Sequence, residues 1–245
     1  HGNPWLKTPN LDRLHAESVC FEDFHTDPVC TPTRAALLTG RYSVRAGAWT
    51  ITEGRQLLHP DEFTLAQAFA ASSYRTAMFG KWHLGQEPYS PLEQGFDVDV
   101  PHHAGPGPAG SFVAPWKFKD FDHDPAVPDQ HIEDRMAKEA VAFMEKHKDG
   151  SFYLNYWMFS VHAPFDAKKA LIEKYRKVAD ANDPQHSPTY AAMVESMDDA
   201  VGTLLDTLDP KTSGEVKYYD FSSQPIKEEG FHPQYTSTFK EFSKS

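Results

Sequence analysis

Phe152-Tyr153-Leu154-Asn155-Tyr156-Trp157-Met158-Phe159 is aromatic and aliphatic throughout, broken only by Asn155. Such a run, without alternation, predicts a strand buried on both faces, as in a parallel sheet covered by helices. Before it, Ile132, Met136, Ala140, Phe143 and Met144 recur at helical spacing, and Asp149-Gly150 supplies a turn. After it, beyond His162-Ala163-Pro164, Tyr190, Met193, Val194, Met197, Val201, Leu204, Leu205 and Leu208 mark the clearest amphipathic helix of the chain.

The same alternation continues upstream. Tyr74 to Phe79 predicts a strand, and Pro60 to Ser72 a helix with Phe63, Ala66, Phe69 and Ala70 on one side. In Val29 to Gly40, Thr31 reads as the N-cap, Pro32 as the first helical residue and Gly40 as the stop, placing Cys30 just before a helix. Thr8-Pro9-Asn10-Leu11 opens another helix, with Thr8 capping, Pro9 first, and Leu11 and Leu14 forming a buried stripe. Phe21 to Phe24 predicts a short strand. Pro101 to Pro128, with six prolines and three glycines, predicts an irregular surface loop. Helices alternating with strands argue for an α/β fold.

Composition narrows the function. With 40% of 245 residues hydrophobic, the chain can bury a sizeable core. A net charge of -11 argues against nucleic acid as the main partner, which wants a basic footprint. Two cysteines, Cys20 and Cys30, are too few for a disulfide scaffold, and no apolar run approaches the ~20 residues of a membrane span.

Several residues could carry chemistry. A cysteine at a helix N-terminus, like Cys30, meets free N–H groups and the positive dipole end, which attract anions. Arg34, one turn on, can reach back to the same point. An inert buried thiol is the commoner fate of a lone cysteine and stays open here. Lys81 and His83 share a face at a strand end, as an oxyanion and proton-transfer pair or as a surface strand end around a buried Trp82. His162 closes a strand, where sites gather in open α/β sheets. His102-His103 could ligate a metal but reads better as solvated loop. Asp198-Asp199 read as exposed helix charges.

Cys30-Thr31-Pro32-Thr33-Arg34 with Leu37-Leu38-Thr39-Gly40-Arg41 resembles the type I sulfatase signature, and Gly80-Lys81-Trp82-His83-Leu84-Gly85 resembles the second sulfatase signature. Thr8 to Leu14, Gly95-Phe96-Asp97, His162-Ala163-Pro164-Phe165 and Met193 to Leu208 are similar to family segments in the same order. Thr33 departs from the commoner serine or alanine but keeps a hydroxyl.

The resemblance implies an arylsulfatase-like fold of the alkaline phosphatase superfamily: a mostly parallel, mixed sheet with helices on both faces, incomplete in this chain. It also implies that residues 1–209 are a partial N-terminal catalytic domain lacking its first strand, followed by a divergent, poorly specified tail at 210–245. Cys30 would be oxidised by a formylglycine-generating maturase, and Cys20, read as a buried thiol, would not. The hydrated aldehyde would attack a sulfate ester and then expel sulfate. Arg34 would steady the formylglycine, Lys81 would bind sulfate, His83 would take a proton, and His162 would bind substrate and act as general acid.

A divalent cation, usually calcium, is implied as well. Cys30, as formylglycine, would be its only ligand here, because the family's Asp and Asn ligands match nothing in this chain. Poor turnover is therefore expected. Family members are exported to periplasmic, extracellular or lysosomal space. A non-catalytic sulfatase-like fragment, or a phosphodiesterase or phosphonate monoester hydrolase of the same superfamily, are the alternative readings.

Overall fold

A computed structural model describes residues 3–51 and 55–208. Expectations for 210–245 lie outside the described residues. The elements are α1 (Pro9–Ala16), α2 (Cys30–Thr39), α3 (Leu65–Ala71), β1 (Arg75–Gly80), β2 (Val98–Val100), α4 (Ile132–His147), β3 (Phe152–Trp157), α5 (Lys169–Arg176) and α6 (Pro188–Leu208). The strands form one sheet in the order β2-β1-β3, and both pairings are parallel, with Phe79 opposite Val100 on one side and Tyr156 on the other. No antiparallel strand of the expected mixed sheet lies in this described part.

The central strand is β1, and alternation along it separates two cores. Met78 packs with Ala35 and Leu38 of α2 and Ala66 of α3, whereas Ala77 and Phe79 pack with Ala140 and Phe143 of α4. Helices therefore cover both faces, as expected. β3 stands at an edge of the described sheet, so its side chains are half-buried rather than buried on both faces. Asn155 is its most buried residue. The expected core positions of α4 are all buried.

Several local expectations give way to tertiary contacts. α2 starts at Cys30 itself, because the Thr31 hydroxyl donates to the His83 carbonyl (2.8 Å) instead of capping the helix. Gly40 does end it, with φ +64°. α3 begins only at Leu65, where Thr64 and Gln67 form a reciprocal capping box that excludes Pro60 to Phe63, and Phe63 is exposed. Phe21 and Phe24 stand in an irregular exposed segment rather than a strand, and Cys20 is exposed rather than buried. The segment 101–128 is irregular as expected, but it is no mere surface loop. Phe112 and Trp116 are core residues alongside Met136, Phe159 and Met193.

α1 buries none of its residues, and Leu14 is exposed. Thr8 provides no side-chain cap. The acceptor is Asp198, fully buried on α6, which receives the backbone N–H of Asn10 (3.1 Å) and Leu11 (2.8 Å) and the Asn10 amide (2.9 Å). The reading of Asp198-Asp199 as exposed charges thus holds for Asp199 and fails for Asp198. On α6 the most buried side chains are mostly small, Ala191, Ala192, Ser196 and Ala200, with Met193 and Asp198, on a helix against which α1, α4 and α5 all pack.

Glu133, in the first turn of α4, is fully buried and burial pushes its carboxyl up to about 7. Its folded value exceeds its unfolded one, so the stability it contributes is full below about pH 4.5 and is lost as pH rises through about 7. With 1.36 kcal/mol per pKa unit, the loss between pH 4.5 and 9 is about 3 kcal/mol. Glu133→Gln, neutral throughout, should remove this component, so its stability relative to the parent rises from pH 5 to pH 9 in denaturant titrations.

Candidate functional site

The carboxyl ends of β1 and β3 and the N-terminus of α2 converge on Cys30. Past Gly80 the chain crosses toward β3, with the Lys81 N–H donating to the Trp157 carbonyl (2.7 Å). Trp82 then turns inward, fully buried, its indole N–H on the Tyr89 carbonyl (2.9 Å) and its ring stacked on Trp157. With Trp82 anchored, Lys81 and His83 turn to the other side, and His83 adopts φ +58° to do so.

His83 Nδ1 lies 3.1 Å from Cys30 Sγ. Lys81, itself buried, lies close enough to Cys30 for the two to interact electrostatically. The Arg34 guanidinium donates to the Lys81 carbonyl and lies 4.7 Å from the centre of the Trp157 ring. His162, exposed in the loop after β3, is close enough for its charge to act on His83, and its Nδ1 lies 2.6 Å from the Ala163 carbonyl. The five residues singled out in the sequence thus meet at one end of the sheet.

Burial lowers Arg34 to about 10, against the pull of Cys30, so it stays protonated at neutral pH. Burial also lowers Lys81, opposed by Cys30 and reinforced by Arg34. His83 is pushed down to about 4, first by burial and then by Lys81, Arg34 and His162. It is therefore neutral near pH 7 and able to accept a proton, while the Arg34 guanidinium stands beside Cys30. A cleft of about 300 Å³ opens at the N-terminus of α2, lined by Asp27, Val29, Cys30, Thr33, Arg34 and Trp157 among others. The Thr33 hydroxyl donates to the Asp27 carbonyl (2.6 Å).

Sequence reasoning missed Trp157, which stacks on Arg34. Its position at the end of an aromatic strand was the available signal. Other motif residues lie elsewhere. Asp97 accepts the Thr76 N–H (3.1 Å) near the start of β1, opposite the Cys30 end. His102 pairs with Asp99 (2.7 Å) and Glu87 (3.2 Å), and His103 packs its ring edge-on against Phe118.

Calcium takes ~6–8 hard oxygen ligands. The groups facing Cys30 are nitrogens, Asp27 brings the cleft's one carboxylate, and among the described residues no cluster of three or more His, Cys, Asp or Glu could hold a metal. The described residues do not fit calcium.

The arrangement is that of an α/β protein with a cysteine-centred, cationic pocket at the carboxyl ends of a parallel sheet. The Sulfatase family model matches residues 1–215, and the chain belongs to that family. N-acetylgalactosamine-6-sulfatase of Homo sapiens is 29% identical over 234 residues, which cover 85% of this chain and 43% of the relative. Arylsulfatase A of Homo sapiens is 43% identical over 117 residues, covering 44% of this chain and 23% of the relative. The crystal structure of Ps i-CgsB superposes with a TM-score of 0.68 at 25% identity, over 84% of this chain and 50% of that one. The chain thus spans half or less of the length of these relatives. No helix among the described residues is long and apolar enough to cross a membrane.

Proposed function

We propose that residues 1–209 belong to the catalytic domain of a sulfuric ester hydrolase and supply its nucleophile and cationic groups. The observation that carries this reading is Cys30 at the first position of α2, 3.1 Å from a neutral His83 and beside the Arg34 guanidinium and the Lys81 side chain. Oxidised to formylglycine and hydrated, residue 30 supplies a hydroxyl nucleophile and a second hydroxyl through which sulfate is released.

The chain's own groups serve both stages. Lys81 and the α2 N-terminus hold the sulfate oxygens, and Arg34 fixes residue 30. His162 gives a proton to the departing alcohol oxygen, and His83 takes the proton whose loss frees sulfate. A sulfate ester is the substrate class. The relatives' names point to sulfated sugars or aryl sulfates, and the partner in maturation is a formylglycine-generating enzyme.

The test is co-expression with such an enzyme. Trypsin releases residues 14–34 as one peptide holding both cysteines, so fragment ions must place the change. The aldehyde is expected at Cys30, with Cys20 retained as a thiol: exposed though it is, Cys20 lacks Pro and Arg at the offsets that Pro32 and Arg34 occupy. Conversion of Cys20, or an unconverted Cys30 beside an active maturase, overturns the reading. With the matured chain, slow release of sulfate rather than phosphate from aryl esters is expected. It should vanish in Cys30→Ala and fall about 10²–10⁴-fold in His162→Gln.

A further inference from the structure

We propose that Glu133 is a positioning residue that fixes the loop carrying His162 against the Cys30 centre; its link to catalysis rests on the role given to His162 above. Glu133 lies on α4, remote in sequence from that loop, yet its fully buried carboxylate is spent on it. Oε1 accepts the Ser160 N–H at 2.7 Å. Oε2 lies 3.4 Å from the Tyr156 hydroxyl, which donates to the Glu133 carbonyl at 3.0 Å.

A single carboxylate thus joins the end of β3 to the turn that follows it. Phe159 is a core residue against Phe112, Met136 and Met193, and its carbonyl accepts the N–H of His162 (3.4 Å). From Phe159 onward the loop leaves the core, until His162 itself is exposed. Among the described residues the His162 imidazole has one hydrogen bond, its Nδ1 on the Ala163 carbonyl. Its placement near His83 therefore derives from the anchored residues behind it, and Glu133 is their polar anchor.

Burying a carboxyl completely is costly unless every lone pair is used. An aliphatic side chain would fill the same space without that cost, but it could not accept the Ser160 N–H. A glutamine could accept it and also donate to the Tyr156 hydroxyl oxygen.

The experiment reads His162 directly, without relying on turnover or on maturation of Cys30. Imidazole nitrogen–proton correlation spectra are recorded on the intact chain at one pH. The His162 signals are identified among the 13 histidines by their loss in His162→Gln. In Glu133→Gln they should superimpose on the parent. In Glu133→Leu and in the shorter Glu133→Asp they should move by more than a linewidth or broaden away. A merely structural glutamate would lower the melting temperature of these variants while leaving His162 unmoved, and that result would overturn the proposal.

Amide exchange in the unaltered chain decides the matter even if neither variant folds. Ser160, donating to a buried carboxylate, should exchange as slowly as the core of α4, and rapid exchange there refutes the anchor. Failure of the catalytic reading is a separate outcome, seen as full turnover in His162→Gln with the spectra of the Glu133 variants unchanged in meaning.

Discussion

Gly80→Ala is expected to leave no soluble, folded protein. Gly80 ends the central strand with φ +105°, and a Cβ there would overlap the carbonyl oxygen of Trp157 and stand 2.8 Å from its carbonyl carbon. Both obstacles are backbone, so no side-chain rotation relieves them. The backbone conformation alone costs an L-residue about 1–3 kcal/mol. The overlap can be removed only by parting β1 from β3, which breaks the Lys81 N–H bond to Trp157 and opens the Trp82–Trp157 stack.

The sum exceeds about 4 kcal/mol, a large part of the ~5–15 kcal/mol by which domains are stable. Soluble yield and circular dichroism check it, with Gly150→Ala as control. Gly150 lies in the turn before β3, where an added Cβ has its nearest neighbour at 3.9 Å. A folded Gly80→Ala protein of near-parental stability would show that β1 and β3 are less closely apposed than described. The same substitution bears on the site, since Lys81 reaches Cys30 only because the chain crosses so near Trp157.

Asp198→Ala should destabilise the chain by about 2–4 kcal/mol, because it removes a charged acceptor from three donors at the half-buried α1 N-terminus. For a protein of this length that is about 10 °C in Tm. The carboxylate also complements the positive end of α1, a contribution alanine lacks. Asp198→Asn keeps one acceptor oxygen but turns an N–H₂ toward donors, and about half the loss is expected from it. Asp199→Ala, one residue on and exposed, should stay within about 0.5 kcal/mol. Thermal or denaturant melts of the three variants separate the two aspartates. Equal effects would remove the tertiary cap. Gly202 belongs to the same contact, since a Cβ there would fall 2.6 Å from the Asn10 amide nitrogen, so Gly202→Ala should reproduce part of the Asp198→Ala loss.

Where an interaction is local, the residues alone were enough. Gly40 stops α2 because a left-handed turn suits glycine, α4 buries the positions its period names, and the parallel α/β alternation follows from the strand and helix patterns. The residues gathered around Cys30 were legible for a different reason: they sit in two short motifs whose chemistry is specific even before their meeting place is known. The caps and anchors were not legible. Thr8 and Thr31 look like N-caps by type and position, yet the α1 donors go to Asp198, some 188 residues away, and the Thr31 hydroxyl goes to His83. Asp198 and Asp199 are chemically identical neighbours, and only the packing of α1 on α6 separates a buried acceptor from an exposed charge. Glu133 is likewise an ordinary acidic residue in a first helical turn until the end of β3 is laid against it. Periodicity and turn chemistry are carried by neighbours in the chain, whereas the partner of a buried polar group is chosen by whichever element the fold brings alongside.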